Sequence, residues 1–197
     1  MSRPRTFDEA ETARRAMDLF WEEGFSGAAS ATISERLGLG MGSLYKAYGS
    51  KEGLYLAALA QYRERGLAFL HAALAEGGPV RGCLRAFMTG RLEEALADPR
   101  RRGCLLVNTI GERLPRDSAV AEFGRGMQDA NREAIADALT GAVARGELRP
   151  DTDARALASY LVTVMNGVMV SVKVQPDRDD LSRTINLALS VVDAQRA

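Results

Sequence analysis

The fold is decided by residues 30–54, which read SATISERLGLGMGSLYKAYGSKEGL. This stretch predicts two short helices, over residues 30–37 and 41–48, joined by a tight turn at residues 38–40, Gly-Leu-Gly. Two short helices around a glycine-containing turn are typical of a helix-turn-helix. In that motif the second helix buries one face and leaves the other free for the major groove of DNA.

The apolar positions of the two helices meet those requirements. Ile33 and Leu37 form an i, i+4 pair on the first helix, and Leu44 and Tyr48 form one on the second. The opposite face of the second helix is left with small and polar side chains. From periodicity alone, three packed helices that contact no DNA explain the pattern as well. The full motif, with its glycines and aromatic residues in register, favours the helix-turn-helix.

The free face of the second helix carries groups suited to DNA. Ser43 and Tyr45 can hydrogen-bond to phosphates or bases, and Lys46 can pair with a phosphate or a guanine. Lys51 begins the next helix, where the amides and the helix dipole favour an anion such as phosphate. The residues predicted to contact DNA are Arg3, Arg5, Thr32, Met41, Gly42, Ser43, Tyr45, Lys46, Tyr48 and Lys51. The two arginines belong to an N-terminal arm that could reach the minor groove.

The run from Gly38 to Leu54 resembles the signature of the TetR family of repressors, and residues 19–25, LFWEEGF, match it too. The resemblance is close over the N-terminal quarter of the chain and extends elsewhere only to length and helical layout. Ala47 stands where the family usually has His, and Gly40 replaces a common Ser or Thr. Ala28-Ala29 replaces a common Thr-Ser pair, which moves the expected cap of the second helix to Ser30 or Thr32.

Composition is that of an ordinary globular protein, with 197 residues of which 46% are hydrophobic and 26% charged. The sequence has 26 Lys and Arg residues and 26 Asp and Glu residues, so its net charge is near zero. A positively charged surface for DNA must therefore be a local patch. Two cysteines and no apolar leader predict a cytoplasmic protein without a disulfide framework. The apolar stretch 157–174 is interrupted by polar residues such as Asn166, which predicts a buried helix and no membrane partner.

The rest of the chain reads as helices from end to end, so the predicted fold class is all-α. Thr6 and Glu9 predict a capping box at the start of the first helix, and Gly24 its end. The predicted domains are a helix-turn-helix DNA-binding domain over residues 1–50 and a larger helical domain over residues 51–197. The resemblance implies that the larger domain binds a small effector and dimerises.

The resemblance implies a dimer formed by the last two long helices, packed as a four-helix bundle across a two-fold axis. The apolar stripes of these helices supply the predicted interface, which comprises Leu157, Leu161, Met165, Val168, Leu181, Ile185, Leu189 and Val192. A helix that is apolar over more than one stripe needs partners on several sides. An intramolecular core accounts for some of the same residues.

The effector pocket is expected among the middle helices, with Phe69, Phe87, Met88, Cys104, Leu105, Asn108, Thr109, Met127 and Met165 as candidate lining residues. Plain core packing is the alternative for each of them, since methionine fills ordinary cores as well as adaptable pockets. No charged residue in this set indicates a ligand class. The effector's identity, the operator and the regulated genes are not encoded in any pattern of the sequence.

Cys104 follows Arg100-Arg101-Arg102-Gly103 and opens a helix. Neighbouring arginines and a helix N-terminus both favour the thiolate form of a cysteine. The segment 103–108 also resembles a branch of the TetR family in which some members sense oxidants or electrophiles through a cysteine here. The hypothesis is that Cys104 is such a sensor, and the alternative is a small buried residue.

The predicted function is a one-component TetR-type regulator, most simply a repressor, that binds a palindromic operator in double-stranded DNA as a homodimer. A small effector of unknown identity, or thiol modification, would release it from DNA. An enzyme is the alternative class, but the sequence shows no nucleophile–base pair and no phosphate-binding loop. Glu112 and Arg113 could be polar residues of a pocket, which is weak support for an enzyme. A helical adaptor without DNA contact is the third class.

No cofactor and no metal site are predicted, because one His and two separated Cys do not form a zinc-binding pattern.

Overall fold

A computed structural model describes residues 7–197 of the chain. Over that range the chain forms nine α-helices, and its only β-type pairing is an isolated bridge between Leu148 and Arg196. The prediction of an all-α fold is therefore confirmed. The helices are α1 (Glu9–Gly27), α2 (Ser30–Leu37), α3 (Met41–Tyr48), α4 (Lys51–Ala75), α5 (Val80–Ala97), α6 (Leu105–Arg113), α7 (Ser118–Ala144), α8 (Ala154–Val174) and α9 (Arg178–Asp193).

The start of α1 differs from the predicted capping box. Asp8 is the N-cap, and its Oδ1 accepts a hydrogen bond from the backbone N–H of Glu11 at 3.1 Å. Glu9 is thus the first residue of the helix and not the third, and Thr6 lies outside the described residues. Regular helix ends at Gly24, where φ is +71° and ψ is 173°, and one further turn continues to Gly27.

The helix-turn-helix has the bounds that the sequence predicts. Gly38 ends α2 in the left-handed region, with φ of +68°, which glycine adopts without steric cost. Arg15 of α1 fixes this corner, because its guanidinium donates to the carbonyl oxygens of Leu37 at 3.1 Å and Arg36 at 2.6 Å. These carbonyls have no partner within α2, so the contact satisfies them and sets the position of the turn.

The expected cap of α2 by Ser30 or Thr32 is wrong. The N-cap position is occupied by Ala29, and no side chain accepts a hydrogen bond from the first turn of this helix. The reason is geometric: Ser30 already has helical backbone, so its side chain cannot fold back over the amides that follow.

Helix α4 connects the helix-turn-helix to the rest of the protein. Ser50 caps it by accepting a hydrogen bond from Gly53 N–H at 3.1 Å. A Cβ atom at Gly53 would lie 1.8 Å from the carbonyl oxygen of Tyr48, so only glycine lets α3 approach α4 this closely. Leu54 and Leu59 of α4 are buried in one hydrophobic cluster with residues of α1, and this cluster continues to α9. The core therefore runs across the predicted domain boundary at residue 50.

The C-terminal helices form a bundle around α4. Helix α5 packs between α4 and α9, while α7 packs against α4 and α8. Helix α8 is long and apolar enough to cross a membrane by length and composition alone, but Leu161, Met165, Val168 and other residues of it are buried in the core. It is a central helix of the bundle with a second, outward-facing apolar side.

Candidate DNA-binding surface and effector cavity

Helix α3 presents a small polar surface to solvent. Leu44 is fully buried and fixes the rotation of the helix against the core. Gly42, Ser43, Tyr45 and Lys46 are all exposed on the opposite side, and 39% of the Tyr45 surface is accessible. These four are the residues of the predicted DNA-contacting set that the structure places together on the free face of α3.

The other predicted DNA-contacting residues lie in different positions. Met41 and Thr32 are half-buried, and Met41 packs against the core cluster. The Tyr48 hydroxyl donates to the carbonyl oxygen of Glu9 at 2.6 Å, which anchors the end of α3 to the start of α1. Lys51 places its Nζ 4.5 Å from the centre of the Phe25 ring, a cation–π contact at the start of α4. The predicted contacts of Arg3 and Arg5 fall outside the described residues.

A cavity of about 60 Å³ lies inside the helical bundle. It is lined by residues of α4, α5, α6, α7 and α8 and by Cys104, which precedes α6. Its lining residues are mostly apolar: Tyr62, Gly66, Leu84, Phe87, Met88, Arg91, Cys104, Leu106, Met127, Asn131, Ile135, Leu161, Val162, Met165, Asn166 and Met169. Its position among the middle helices is where the sequence places an effector pocket.

Five of the nine candidate pocket residues line this cavity: Phe87, Met88, Cys104, Met127 and Met165. The other four lie outside it. Phe69 is 40% exposed and packs outside against Phe87. Leu105 is buried in the core away from the cavity, Asn108 donates to the carbonyl oxygen of Arg102, and Thr109 hydrogen-bonds to Tyr55. On one turn of α6 only some positions can face a given cavity, and helical periodicity did not reveal which.

A buried polar chain that the sequence did not predict runs along one wall. The Tyr62 hydroxyl donates to Cys104 Sγ at 3.2 Å and accepts a hydrogen bond from Arg91 Nη2 at 2.8 Å. Arg91 also pairs through Nη1 with Glu94. Burial and the neighbouring Cys104 sulfur raise the pKa of Tyr62 far above its ordinary value, so the hydroxyl keeps its proton. Three groups able to hydrogen-bond thus meet at the edge of the cavity, whose remaining polar lining residues are Asn131 and Asn166.

The arginines that precede Cys104 do not surround its thiol. Arg100 pairs with Glu22 of α1. The Arg102 guanidinium donates to Asp98 at 2.9 Å and lies 4.4 Å from the centre of the Trp21 ring. These contacts join the loop to α1 and leave Cys104, which is only 7% exposed, facing the cavity beside Tyr62.

Two family descriptions match this chain. Residues 14–58 match "Bacterial regulatory proteins, tetR family", and residues 80–188 match "Tetracyclin repressor-like, C-terminal domain". The HTH-type transcriptional regulator YezE of Bacillus subtilis is 33% identical over 98% of this chain and 100% of its own. This chain belongs to the TetR family. Its relatives are transcription regulators, so it is a helix-turn-helix regulator and not an enzyme.

Other members of the TetR family support this assignment. The HTH-type transcriptional repressor ComR of Escherichia coli is 27% identical over 87% of this chain and 82% of its own. Among solved structures, a cysteine mutant of the TetR family regulator CifR in complex with a 26-bp double-stranded operator superimposes with a TM-score of 0.86. It is 31% identical and covers 95% of this chain and 98% of its own. A TetR regulator from Chloroflexus aurantiacus gives a TM-score of 0.84 at 26% identity and 95% coverage of both chains.

Helix α6 links the cavity of this TetR protein to its helix-turn-helix. Cys104, at its N-terminus, lines the cavity, while Glu112 lies near the opposite end. The Glu112 carboxylate accepts hydrogen bonds from the backbone N–H groups of Phe25 at 3.0 Å and Ser26 at 2.7 Å. The guanidinium of Arg113 lies 3.8 Å from the centre of the Phe25 ring. The interpretation of Glu112 and Arg113 as polar pocket residues is therefore wrong, because they contact the DNA-binding domain.

The predicted dimer residues of this TetR protein are buried within the protomer. All eight, Leu157, Leu161, Met165, Val168, Leu181, Ile185, Leu189 and Val192, are at most 9% exposed and form part of its own core. An intramolecular core, the alternative explanation for these residues, accounts for their burial in the protomer. The exposed apolar residues of α8 and α9 are instead Tyr160, Val170, Val174, Leu187 and Val191. The most regular apolar stripe of each helix is therefore the face that packs inside the protomer.

Proposed function

We propose that this TetR-family protein is a cytoplasmic, homodimeric repressor that binds a palindromic operator and is released by a small effector. The observation that carries the proposal is the exposed face of α3, with Ser43, Tyr45 and Lys46 held rigidly by buried Leu44 and by the Tyr48–Glu9 hydrogen bond. A structural relative with a TM-score of 0.86 is bound to operator DNA, which supports binding of operator DNA by this protein. Arg3 and Arg5 would add contacts from the N-terminal arm.

The partner in the dimer is a second copy of the chain, docked on α8 and α9. Five of the seven large apolar side chains that are exposed in the described part of the chain lie on these two helices. Val174 is 83% exposed and Leu187 is 72% exposed, which is costly unless another surface covers them. A two-fold axis through this face would place two recognition helices about 34 Å apart, one turn of DNA.

Release from DNA would follow the path of α6. An effector that enlarges the cavity displaces Cys104 and Leu106 at the start of α6. The same helix carries Glu112, which holds Phe25 and Ser26 just before α2 begins. A shift of α6 therefore changes the position of the helix-turn-helix relative to the bundle, and in a dimer it changes the spacing of the two recognition helices.

Thiol modification of Cys104 is the second proposed trigger. A group added to Sγ would occupy the cavity and break the hydrogen bond from Tyr62. Treatment with iodoacetamide should lower the operator affinity of the wild type and leave Cys104→Ser unaffected, with mass spectrometry locating the adduct. Equal loss of affinity in both proteins would assign the effect to another residue, such as Cys83.

The test of DNA binding is a fluorescence-anisotropy titration of the DNA upstream of the protein's own gene, followed over a salt series. Lys46→Ala and Tyr45→Ala should weaken binding about tenfold to a hundredfold, and Lys46→Ala should reduce the salt slope by about one if it contacts phosphate. Arg125→Ala, which removes an exposed cation of α7, is the matched control and should bind normally. If no sequence is bound, even after selection from random DNA, the repressor assignment fails.

A further inference from the structure

The cavity contains one feature that specifies its ligand. Arg91 is the only charged side chain among the lining residues in the described part of the chain. It lies near the middle of α5, and its side chain is only 13% exposed. Burying a guanidinium is costly unless it is paired, so the balance of charge around it indicates what else the site accepts.

Arg91 shares its carboxylate partner with a second arginine. Its carboxylate partner, Glu94, is shared with Arg65 of α4, so two cations contact one anion. Glu94 does not line the cavity, and the group that meets Arg91 on the cavity side is the neutral hydroxyl of Tyr62. Within this cluster Arg65 is 55% exposed to solvent, so Arg91 is the cation that lies beside the cavity.

The remainder of the cavity suits a flexible apolar group. Met88, Met127, Met165 and Met169 line it together with Phe87. The open volume of about 60 Å³ holds no more than a few water molecules, so a larger ligand must displace side chains. Methionine has an unbranched, freely rotating side chain that can rearrange around ligands of different shape.

We propose that the effector is a small apolar carboxylate, which rests on the proposed function of this cavity as the effector site. Its carboxylate accepts hydrogen bonds from the Arg91 guanidinium on the cavity side, while Glu94 pairs with the same guanidinium outside the cavity. The Tyr62 hydroxyl turns its proton from Cys104 to the same carboxylate, and the apolar body lies among the methionines.

The experiment uses octanoate and octanamide, which have the same length and differ in charge at the head. Binding to the full-length protein is measured by isothermal titration calorimetry without DNA. The wild type should bind octanoate saturably, with octanamide about tenfold or more weaker because a charge-assisted contact is replaced by a neutral one. In Arg91→Gln the two probes should bind with similar affinity, and circular dichroism should establish that this variant is folded.

Three outcomes would overturn the proposal: no saturable binding of octanoate to the wild type, equal binding of both probes to it, or an undiminished preference for octanoate in Arg91→Gln. The first two need no variant, so the inference remains testable if Arg91→Gln does not fold. Operator affinity is measured separately and without either probe. Failure of DNA binding would thus reject the repressor function, while failure of octanoate binding would reject only the class of ligand.

Discussion

Gly24 is the single residue on which the junction between α1 and α6 depends. Its backbone has φ of +71° and ψ of 173°, a region that residues with a Cβ atom rarely adopt. A Cβ atom there would lie 3.0 Å from Glu112 Oε2, the oxygen that binds Phe25 N–H. Because this conformation turns the next two N–H groups toward Glu112, the glycine and the carboxylate form one structural unit.

Gly24→Ala should therefore lower the free energy of unfolding by about 1–3 kcal/mol, the usual cost of placing a side chain in this backbone region. Urea denaturation at a fixed protein concentration measures it. Gly27→Ala is the matched control, because a Cβ atom there meets nothing closer than Glu23 Cβ at 3.8 Å and its φ is not positive. Equal stability of wild type and Gly24→Ala would show that the junction relaxes without strain.

At the scale of single elements, the two ends of α6 contact different parts of the protein. Its N-terminal end lines the cavity through Cys104 and Leu106, and its C-terminal end binds the DNA-binding domain through Glu112 and Arg113. Burial opposes ionisation of Glu112, but the N–H groups of Ser26 and Phe25 outweigh it and lower its pKa below the ordinary value of 4.5. The link is therefore strongest while this carboxylate is charged.

This lowered pKa predicts a pH dependence. A carboxyl with a lower pKa in the folded state stabilises the protein above the unfolded-state pKa, and this stabilisation is lost as the pH falls through the folded pKa. Wild type should be more stable than Glu112→Gln at pH 7, by about 1 kcal/mol or less because the site is partly solvated. The difference should shrink as the pH falls below 4.5.

Urea denaturation of both proteins between pH 7 and pH 3.5 would measure this difference. Glu122→Gln, which neutralises an exposed glutamate of α7, controls for the general effect of losing a negative charge. A gap between wild type and Glu112→Gln that stays constant down to the lowest pH would contradict the role assigned to the charged carboxylate.

At the scale of the whole molecule, the proposed dimer depends on the outward side of α8 and α9. Leu187 and Val191 of α9 and Tyr160, Val170 and Val174 of α8 are exposed, although each helix already buries another apolar side in the protomer. A bundle helix with two apolar sides needs two partners, and the protomer supplies only one. The second partner is, in our proposal, the same surface of another copy.

Leu187→Glu should convert the dimer to a monomer at micromolar concentration, because two-fold symmetry brings each new charge into an apolar contact. Light scattering coupled to gel filtration measures the mass, and operator affinity should fall at the same time because each monomer reads only half of the palindrome. Ala72→Glu adds the same charge to an exposed position of α4 and should leave the mass unchanged. A wild type that is monomeric, or a Leu187→Glu protein that is still dimeric, would reject this interface.

The sequence by itself determined the local elements. The bounds of α2 and α3 and the all-helical fold follow from glycine positions and a repeat of 3.6 residues. All of these depend on neighbours within a few positions of the chain. The exposed face of α3 was predictable for the same reason, since Leu44 and the turn fix which side is buried.

Only the tertiary structure decided which groups meet across the fold. Arg91 reads in the sequence as one of many arginines on a helix, and only the packing of α4, α5 and α6 brings it to Tyr62 and Cys104. The contact of Glu112 with Phe25 joins residues 87 positions apart. The two apolar sides of α8 have the same period, so the pattern cannot say which partner covers each. Contacts between distant segments depend on the positions of whole helices, and no local pattern encodes those positions.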